Sequence, residues 1–448
     1  MTLLRDGPVI LDGGLATELE ARGCNISGAL WSARVLREQP DAIEQLHYDY
    51  YAAGASVAIT ASYQASYEGF ASIGIDAEET TRLLRRSVEL ARSARDRFRR
   101  DHPRDGRELL VAASVGPYGA ISHDGAEYRG DYGMTVDALV EFHERRFEVL
   151  SAAGADLLAC ETIPVLVEAR AYAALLARYP RAQAWLSFTS PDGIHTSHGE
   201  PLMECAQLAD RVASVIAVGV NCVKPEVVAG AILALKAGTG KPIVVYPNSG
   251  ERWSAGDESW QGAPGQDGLA ALAPEWIRAG ARLLGGCCRV GPAQIAELAA
   301  ALTRRTVRAA VDGDMRGIEE LLRGSRLPTT DLADSRPEFL VACEGPEIIG
   351  VGGLEIHGDV GLLRSVVVVD RLRGHGIGRI LVDAVEASAR DRGVASLLLL
   401  TETAADFFGR LGYSEIARDD VPQGIRNCAE FRQLCPQSAR CMIKRLAD

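Results

Sequence analysis

The sequence predicts an α/β protein: a closed (β/α)8 TIM barrel followed by a smaller α+β domain. Three observations carry this expectation. Between Val9 and Cys287, eight short, unalternating apolar runs each give way to an amphipathic helical pattern. Near Thr306 that rhythm resets into a different order of strands and helices. The length of 448 residues accommodates a barrel of roughly 250 residues and one further domain.

The eight runs are VILDGG from Val9, VAITASY from Val57, LLVAASVGP from Leu109, DLLACET from Asp156, AWLSFTS from Ala184, VIAVGVNC from Val215, PIVVYPN from Pro242 and RLLGGCC from Arg282. Continuous apolar strands belong to a sheet buried on both faces, and alternation with helices makes the connections parallel crossovers. No G-x-G-x-x-G fingerprint follows the first run, which favours closure over an open dinucleotide-binding sheet. The last barrel helix is expected from Pro292 to about Thr303. A strand and helix in TVRAAVDGDMRGIEELLRGSRLP then open the second domain, whose core strands are FLVACE from Phe339, EIIGVGGLEI from Glu347, LLRSVVVV from Leu362 and SLLLLTE from Ser396, with a long helix from Arg379 to Arg392. The expected domains are therefore 1–304 and 305–448.

Charge narrows the ligands. Lys and Arg total 48 against 60 Asp and Glu, a net charge of −12, so the chain lacks the positive footprint that nucleic acid or an anionic membrane requires. The arginines from Arg82 to Arg100 are interleaved with Glu89 and Asp96 and read as a solvated helix face. Small-molecule substrates are expected. MTLLRDGPVILDGG has no charged n-region leading into an apolar stretch, and no run reaches 18 apolar residues, so a cytoplasmic location is expected. Ten cysteines are too sparse for a disulfide scaffold and point to metal ligands, nucleophiles or core filler.

Barrel enzymes carry their chemistry at the C-terminal ends of the strands, where this chain has Asp12, Glu161, Asn221, Cys222, Cys287 and Cys288. Cys222 closes the sixth run and Cys287–Cys288 the eighth, so three thiols converge on one rim. Adjacent cysteines reach one ion only if the chain turns, which Gly285 and Gly286 are expected to permit. Three thiolates suit zinc and leave a fourth position for a thiol substrate. Cys24, Cys160 and Cys205 read as core, and His195 and His198 as loop residues.

The phrases DGGLATEL (Asp12–Leu19), GVNC (Gly219–Cys222) and GGCCR (Gly285–Arg289) resemble the homocysteine S-methyltransferase family over about residues 5–303. SVGPYGA from Ser114, EYRGDY from Glu127 and YPNSGE from Tyr246 are similar to its sulfonium-donor branch. The resemblance implies Zn2+ on Cys222, Cys287 and Cys288, homocysteine sulfur as fourth ligand, and S-methylmethionine or S-adenosylmethionine as methyl donor, giving methionine. It also implies that Glu161 binds the homocysteine amino group and that Asp12, Gly13 and Gly14 contact the amino-acid head. Asn221 is expected to orient the site by hydrogen bonds and is grouped with the substrate-binding residues.

In the second domain, Arg373-Gly374-His375-Gly376-Ile377-Gly378 follows a strand and opens a helix, which crowds backbone amides where a phosphate is favoured. With Phe407-Phe408-x-x-Leu411-Gly412-Tyr413 it resembles the GNAT acetyltransferases, which implies acetyl-CoA bound by Arg373, Gly374, Gly376, Ile377 and Gly378. LLRSVVVV and the tail EFRQLCPQSARCMIKRL resemble small acetyltransferases encoded with arsenic-resistance genes. Phe408 stands where many GNAT enzymes have a tyrosine general acid; Glu355 and Glu402 are the candidate bases. The competing reading is a thiol-metal or metalloid (arsenite) binding or sensing protein; Cys428, Cys435 and Cys441 could make a thiol trio for trivalent arsenic, but lacking a fixed spacing they read as ordinary thiols of the C-terminal strand region. Asp12 and Glu161, which a pure metal trap does not need, favour the enzyme.

Overall fold

The computed structural model describes residues 8–26, 31–121, 125–254, 259–261, 268–303, 305–332, 337–345 and 347–446, the side chains of 31–33, 252–254 and 259–261 excepted. The first seven residues and Arg304, at the expected domain boundary, lie outside this set. The chain folds as two compact units, Met1–Leu302 and Thr303–Asp448. No described helix is long and apolar enough to cross a membrane.

In the first unit all eight apolar runs form strands: β1 (Val9–Ile10), β2 (Val57–Ile59), β3 (Leu110–Val115), β4 (Leu157–Ile163), β5 (Ala184–Phe188), β6 (Val215–Asn221), β7 (Ile243–Tyr246) and β8 (Ala281–Leu284). They pair in parallel in the order β1-β8-β7-β6-β5-β4-β3-β2. A bridge between Leu11 and Val57 brings the two ends of that order together and makes the sheet a barrel. Val9, Leu11, Leu110, Ala112, Leu157, Ala159, Trp185, Ala217, Val244 and Leu283 fill its interior, and a larger apolar layer lies between the strands and the surrounding helices. This double burial is why the runs are apolar without alternation.

The helices begin where polar side chains can accept their orphan amides. Asp76 accepts from Glu79 N (2.8 Å) ahead of helix Ala77–Asp101, and Thr135 accepts from Ala138 N (3.3 Å) ahead of Val136–Ala152. Helix Ala77–Asp101 buries Leu83, Leu84, Val88, Ala91, Ala94 and Phe98 and turns Arg82, Arg85, Arg86 and Arg100 outward, the solvated face expected from the sequence.

The second unit is a mixed sheet: β9 (Arg305–Ala309), β10 (Glu338–Glu344), β11 (Glu347–His357), β12 (Val360–Val368), β13 (Ser396–Thr401), β14 (Ser414–Ile416) and β15 (Arg440–Arg445), in the order β9-β10-β11-β12-β13-β15-β14. Only β12 and β13 run parallel, and they pair only over Val360–Leu362 with Ser396–Leu398. Past Leu362 the two strands separate, while β13 stays paired with β15. A bulge in the β11–β12 ladder, where Ser365 takes a left-handed φ of 58°, falls at this divergence. The expected long helix runs Ile377–Asp391 and packs on one face through Leu381, Val382, Val385 and Ala389.

Trp185 is fully buried inside the barrel and donates Nε1 to Tyr246 Oη at 3.0 Å. Trp185→Ala is expected to cost about 3–5 kcal/mol, read as a lower urea midpoint for the transition that unfolds the barrel.

Candidate active site at the barrel rim

The site assembles at the C-terminal ends of β1, β4, β6 and β8. A cavity there is lined by Gly13, Gly14, Thr17, Tyr63, Gln64, Glu127, Tyr128, Glu161, Thr162, Tyr246 and the three cysteines Cys222, Cys287 and Cys288, with no Lys, Arg or His among the described lining residues. The three Sγ atoms lie within 4.8 Å of one another, each on a half-buried residue open to the cavity.

Local backbone geometry makes that convergence possible. Cys222 sits at a left-handed φ of 51°, a conformation that costs a non-glycine residue on the order of 1–2 kcal/mol. It is held by its N–H to Tyr246 O (3.2 Å). Thr162, at φ 59°, is its counterpart at the end of β4. Gly285 and Gly286 act differently from the expectation: neither has a positive φ. They are glycine because the rim is crowded. A Cβ on Gly286 would meet Val290 Cγ1 at 2.2 Å, and one on Gly14 would meet Cys287 O at 2.5 Å. The left-handed turn instead follows the pair, at Arg289 (φ 66°), whose N–H is accepted by Thr17 Oγ1 at 2.8 Å.

Loop contacts fix the thiols further. Cys287 N donates to Pro247 O (2.7 Å), Cys288 N to Asn248 Oδ1 (3.2 Å) and Ser249 N to Cys288 O (3.1 Å). Arg289 pairs with both oxygens of Glu251 (2.9 and 3.1 Å), which lowers the Glu251 pKa. The phrases GGCCR and YPNSGE are thus one interlocked unit. The thiols share charge unequally: hydrogen bonds from Cys287 and Cys288, then from Tyr128 and Thr162, hold the Cys222 pKa well below the ordinary thiol value. Cys287 and Cys288 are raised because they face that charge.

Two carboxylates, Glu127 and Glu161, line the cavity, and a third, Asp12, is buried behind it. Glu161 is buried in β4, which pushes its pKa up to about 7 against the hydrogen bond donated by Ser114 Oγ. Asp12 is buried behind the lining: its Oδ2 accepts Ile59 N–H at 2.7 Å, and its Oδ1 has no hydrogen-bond partner among the described residues. Burial, with the neighbouring Glu161 charge, raises its pKa well above the usual range. Asn221, grouped with the substrate contacts from sequence, does not line the cavity. Its Oδ1 accepts Thr162 N–H (2.8 Å) and Ser187 Oγ–H (2.6 Å), and its Nδ2 donates to Thr162 Oγ1 (2.8 Å), tying β4, β5 and β6 together. Gly13 and Gly14 do line it. Tyr63, Gln64, Tyr128, Thr162 and Tyr246 carry no signal of their own in the sequence, although Tyr128 and Tyr246 lie inside phrases that carry the resemblance. His195 and His198 are exposed and paired with Asp192 (2.8 Å) and Glu200 (3.0 Å), as loop residues.

The family comparison fits this rim. The profile described as homocysteine S-methyltransferase matches residues 9–302, well over half of the chain. This chain belongs to the homocysteine S-methyltransferase family. Its relatives include homocysteine S-methyltransferases of Escherichia coli strain K12, 52% identical over 293 residues (65% of this chain, 94% of that protein), and of Bacillus subtilis strain 168, 48% identical over 298 residues (65% and 93%). The metallated crystal form of the homocysteine methyltransferase MmuM from Escherichia coli superposes with a TM-score of 0.61 at 50% identity, covering 66% of this chain and 96% of that one. Residues 311–413 match the acetyltransferase (GNAT) family. The protein is a family methyltransferase carrying a GNAT acetyltransferase domain.

In that second domain Gly374 and Gly376 both take φ 82°, and Gly376 caps the helix Ile377–Asp391. Arg373 is exposed and pairs with Asp370 at 2.8 Å, and the Ile377 side chain is buried in the core beside Leu381, so any ligand contact from Ile377 is through its backbone. Phe408 and Tyr413 are both core residues. Glu402 is exposed. Glu355 is engaged by Arg364 (3.1 Å) near the β11–β12 hairpin, at the far end of β12 from the glycine loop, which removes it as a base beside that loop. The thiol trio does not form: Cys435 donates to Glu430 Oε1 (3.4 Å), Cys441 is buried in β15, and Cys428 lies with Glu355 and His357 instead.

Removing the Asn221 side chain strands the buried Thr162 N–H and Ser187 hydroxyl. Asn221→Ala is expected to cost about 1–3 kcal/mol for each group left unpaired, and to lower kcat for methyl transfer more than it raises KM for either substrate.

Proposed function

We propose that the barrel, assigned to 1–304, transfers a methyl group from a sulfonium donor, S-methylmethionine or S-adenosylmethionine, to homocysteine, giving methionine. The observation that carries this reading is a cavity combining three converged thiols with inward carboxylates and no cation among its described lining residues. The donor set fits Zn2+: three thiol ligands, mutually close and open on one side, match a catalytic rather than a closed site. Cys222, Cys287 and Cys288 would hold the zinc, which would supply the Lewis acidity to keep an acceptor thiol ionised near neutral pH.

The chain's own residues do the rest. Glu161, with Asp12 Oδ1 behind it, receives the homocysteine ammonium, while Gly13 and Gly14 let the backbone approach the amino-acid head. Tyr63 and Tyr128, with Gln64 Oε1, surround a cationic donor with ring faces and acceptors. The acceptor sulfur forms its bond to the methyl carbon as the carbon–sulfonium bond breaks, and that electron pair stays on the departing, now neutral sulfur. No proton donor is required, so the enzyme's task is alignment and exclusion of water. The domain at 305–448 is assigned acetyl-CoA-dependent N-acetyl transfer, its cofactor on Arg373, Gly374, Gly376, Ile377 and Gly378. A cytoplasmic location agrees with the small-molecule substrates and the free thiols.

Three measurements test these assignments. Cys222→Ser and Cys287→Ser are expected to lose zinc and activity together; full zinc content with full activity in either variant overturns the metal site. Glu161 binds an ammonium only when ionised, so KM for homocysteine is expected to rise as pH falls through about 7. Glu161→Gln should raise KM, by an interaction of about 1.5–3 kcal/mol, and abolish that pH limb while zinc content stays. Gly376→Val places a β-branched residue at φ 82°. Calorimetry on the full chain should then show acetyl-CoA binding lost and methyl transfer kept.

A further inference from the structure

A second group of metal-competent side chains lies away from the barrel. Glu355 and His357 are two residues apart near the end of β11 and therefore share a face of the sheet. Across from them stands Cys428, just after the short helix Gln423–Arg426. A carboxylate oxygen, an imidazole nitrogen and the Cys428 sulfur lie within 4.8 Å of one another.

Two features separate this group from an ordinary polar cluster. His357 Nε2 is 3.0 Å from Glu355 Oε1, yet the pair is not aligned as a hydrogen bond, and the buried nitrogen has no other partner among the described residues. Furthermore, the chain is brought over the pair by a close approach: a Cβ on Gly424 would meet His357 Cβ at 3.2 Å, so glycine there lets Val421, Ile425 and Cys428 settle against Val360 and Leu362.

Arg364, almost fully buried, contacts Asp331 through both terminal nitrogens (2.6 and 3.0 Å), Glu355 Oε2 (3.1 Å) and Glu430 Oε2 (2.7 Å). Among the described residues, three carboxylates thus surround one guanidinium, and Glu355 Oε1 is left turned toward His357. A dication held there would engage Glu355 Oε1, the imidazole nitrogen and the sulfur at once.

We propose that Glu355, His357 and Cys428 form a second divalent-cation site, selective for a borderline-soft ion such as Zn2+. Mixed carboxylate, imidazole and thiolate donors are the set that zinc accepts and that Mg2+ or Ca2+ does not. Binding displaces the Cys428 thiol proton to solvent, forming the sulfur–metal bond in its place. In the metal-free protein the thiol holds that proton firmly, since burial raises its pKa despite the Phe431 amide. With three protein donors the site keeps one position open, and it fastens the segment from Gln423 to Leu434, which delivers Glu430 to Arg364, onto the end of β11.

The test uses the full chain with Cys222, Cys287 and Cys288 all changed to Ser, stripped of metal and titrated with Zn2+ alone. One equivalent is expected to bind. Co2+ loaded into the same protein should show a single thiolate-to-metal band. Cys428→Ser should abolish that band, and His357→Gln should weaken Zn2+ binding by more than roughly tenfold. Amide exchange across Gln423–Leu434 should slow when Zn2+ is added. If the triple-Ser chain binds no zinc while its second unit is folded, the proposal fails and His357 is simply a polar neighbour of Glu355. Should the triple-Ser chain not fold, metal analysis of the otherwise unaltered chain decides instead. His357→Gln must then lower total zinc by one equivalent, whatever the barrel holds, and an unchanged zinc content overturns the site without touching the barrel assignment.

Discussion

Closure of the barrel at a two-residue strand is the constraint on which the rim depends. β1 is held on one side by Leu11 N to Leu284 O (2.7 Å) and on the other by Asp12 N to Val57 O (3.0 Å), so the first and last βα loops are forced against each other. Gly14 N reaches Val290 O, Gly286 N reaches Asp12 O, and Thr17 takes the Arg289 N–H. The cysteine pair therefore occupies a position dictated by residues some 270 places earlier in the chain. Without that seam β8 would be an edge, and the pair would have nothing to press it toward Cys222.

Opposite the seam, Asn221 has the complementary task. Thr162 and Cys222 are both left-handed without being glycine, and each is stabilised from another strand, Thr162 by Asn221 of β6 across β5 and Cys222 through Tyr246 O of the adjacent β7. Strain of this kind persists only where surrounding contacts over-determine it. Here it turns a thiol and a hydroxyl out of the strand direction and into the cavity, which regular β geometry at the end of a buried strand would not do.

The architecture was legible because its signals are local and periodic: eight apolar runs became eight strands, and the reset near Thr306 became a second sheet. The converging cysteines were legible because topology alone brings the ends of β6 and β8 to one rim. What escaped was set by contacts that carry no period. The role of Gly285 and Gly286 is steric, and one must know what lies against them to see it. Asn221 sits beside Cys222 in sequence, yet its hydrogen bonds run to β4 and β5, which no spacing reveals. In the second domain, strand-end position made Glu355 look available as a base, whereas Arg364, nine residues later on the neighbouring strand, already holds it. Cys428 and Cys441 share one apolar cluster and Cys435 donates to Glu430, in keeping with a spacing that marks no thiol trio.

The absence of a lining cation among the described residues of the barrel cavity bears on turnover as well as on binding. On the proposed reaction, a sulfonium donor would enter with a fixed positive charge that no change of pH removes, and the acidic, aromatic walls would attract it. Methyl transfer erases that charge, because the sulfur that leaves is neutral. The walls then have less hold on the spent donor than on a fresh one, so the chemical step itself turns the cavity from a trap into an exit and biases exchange toward the next molecule of donor.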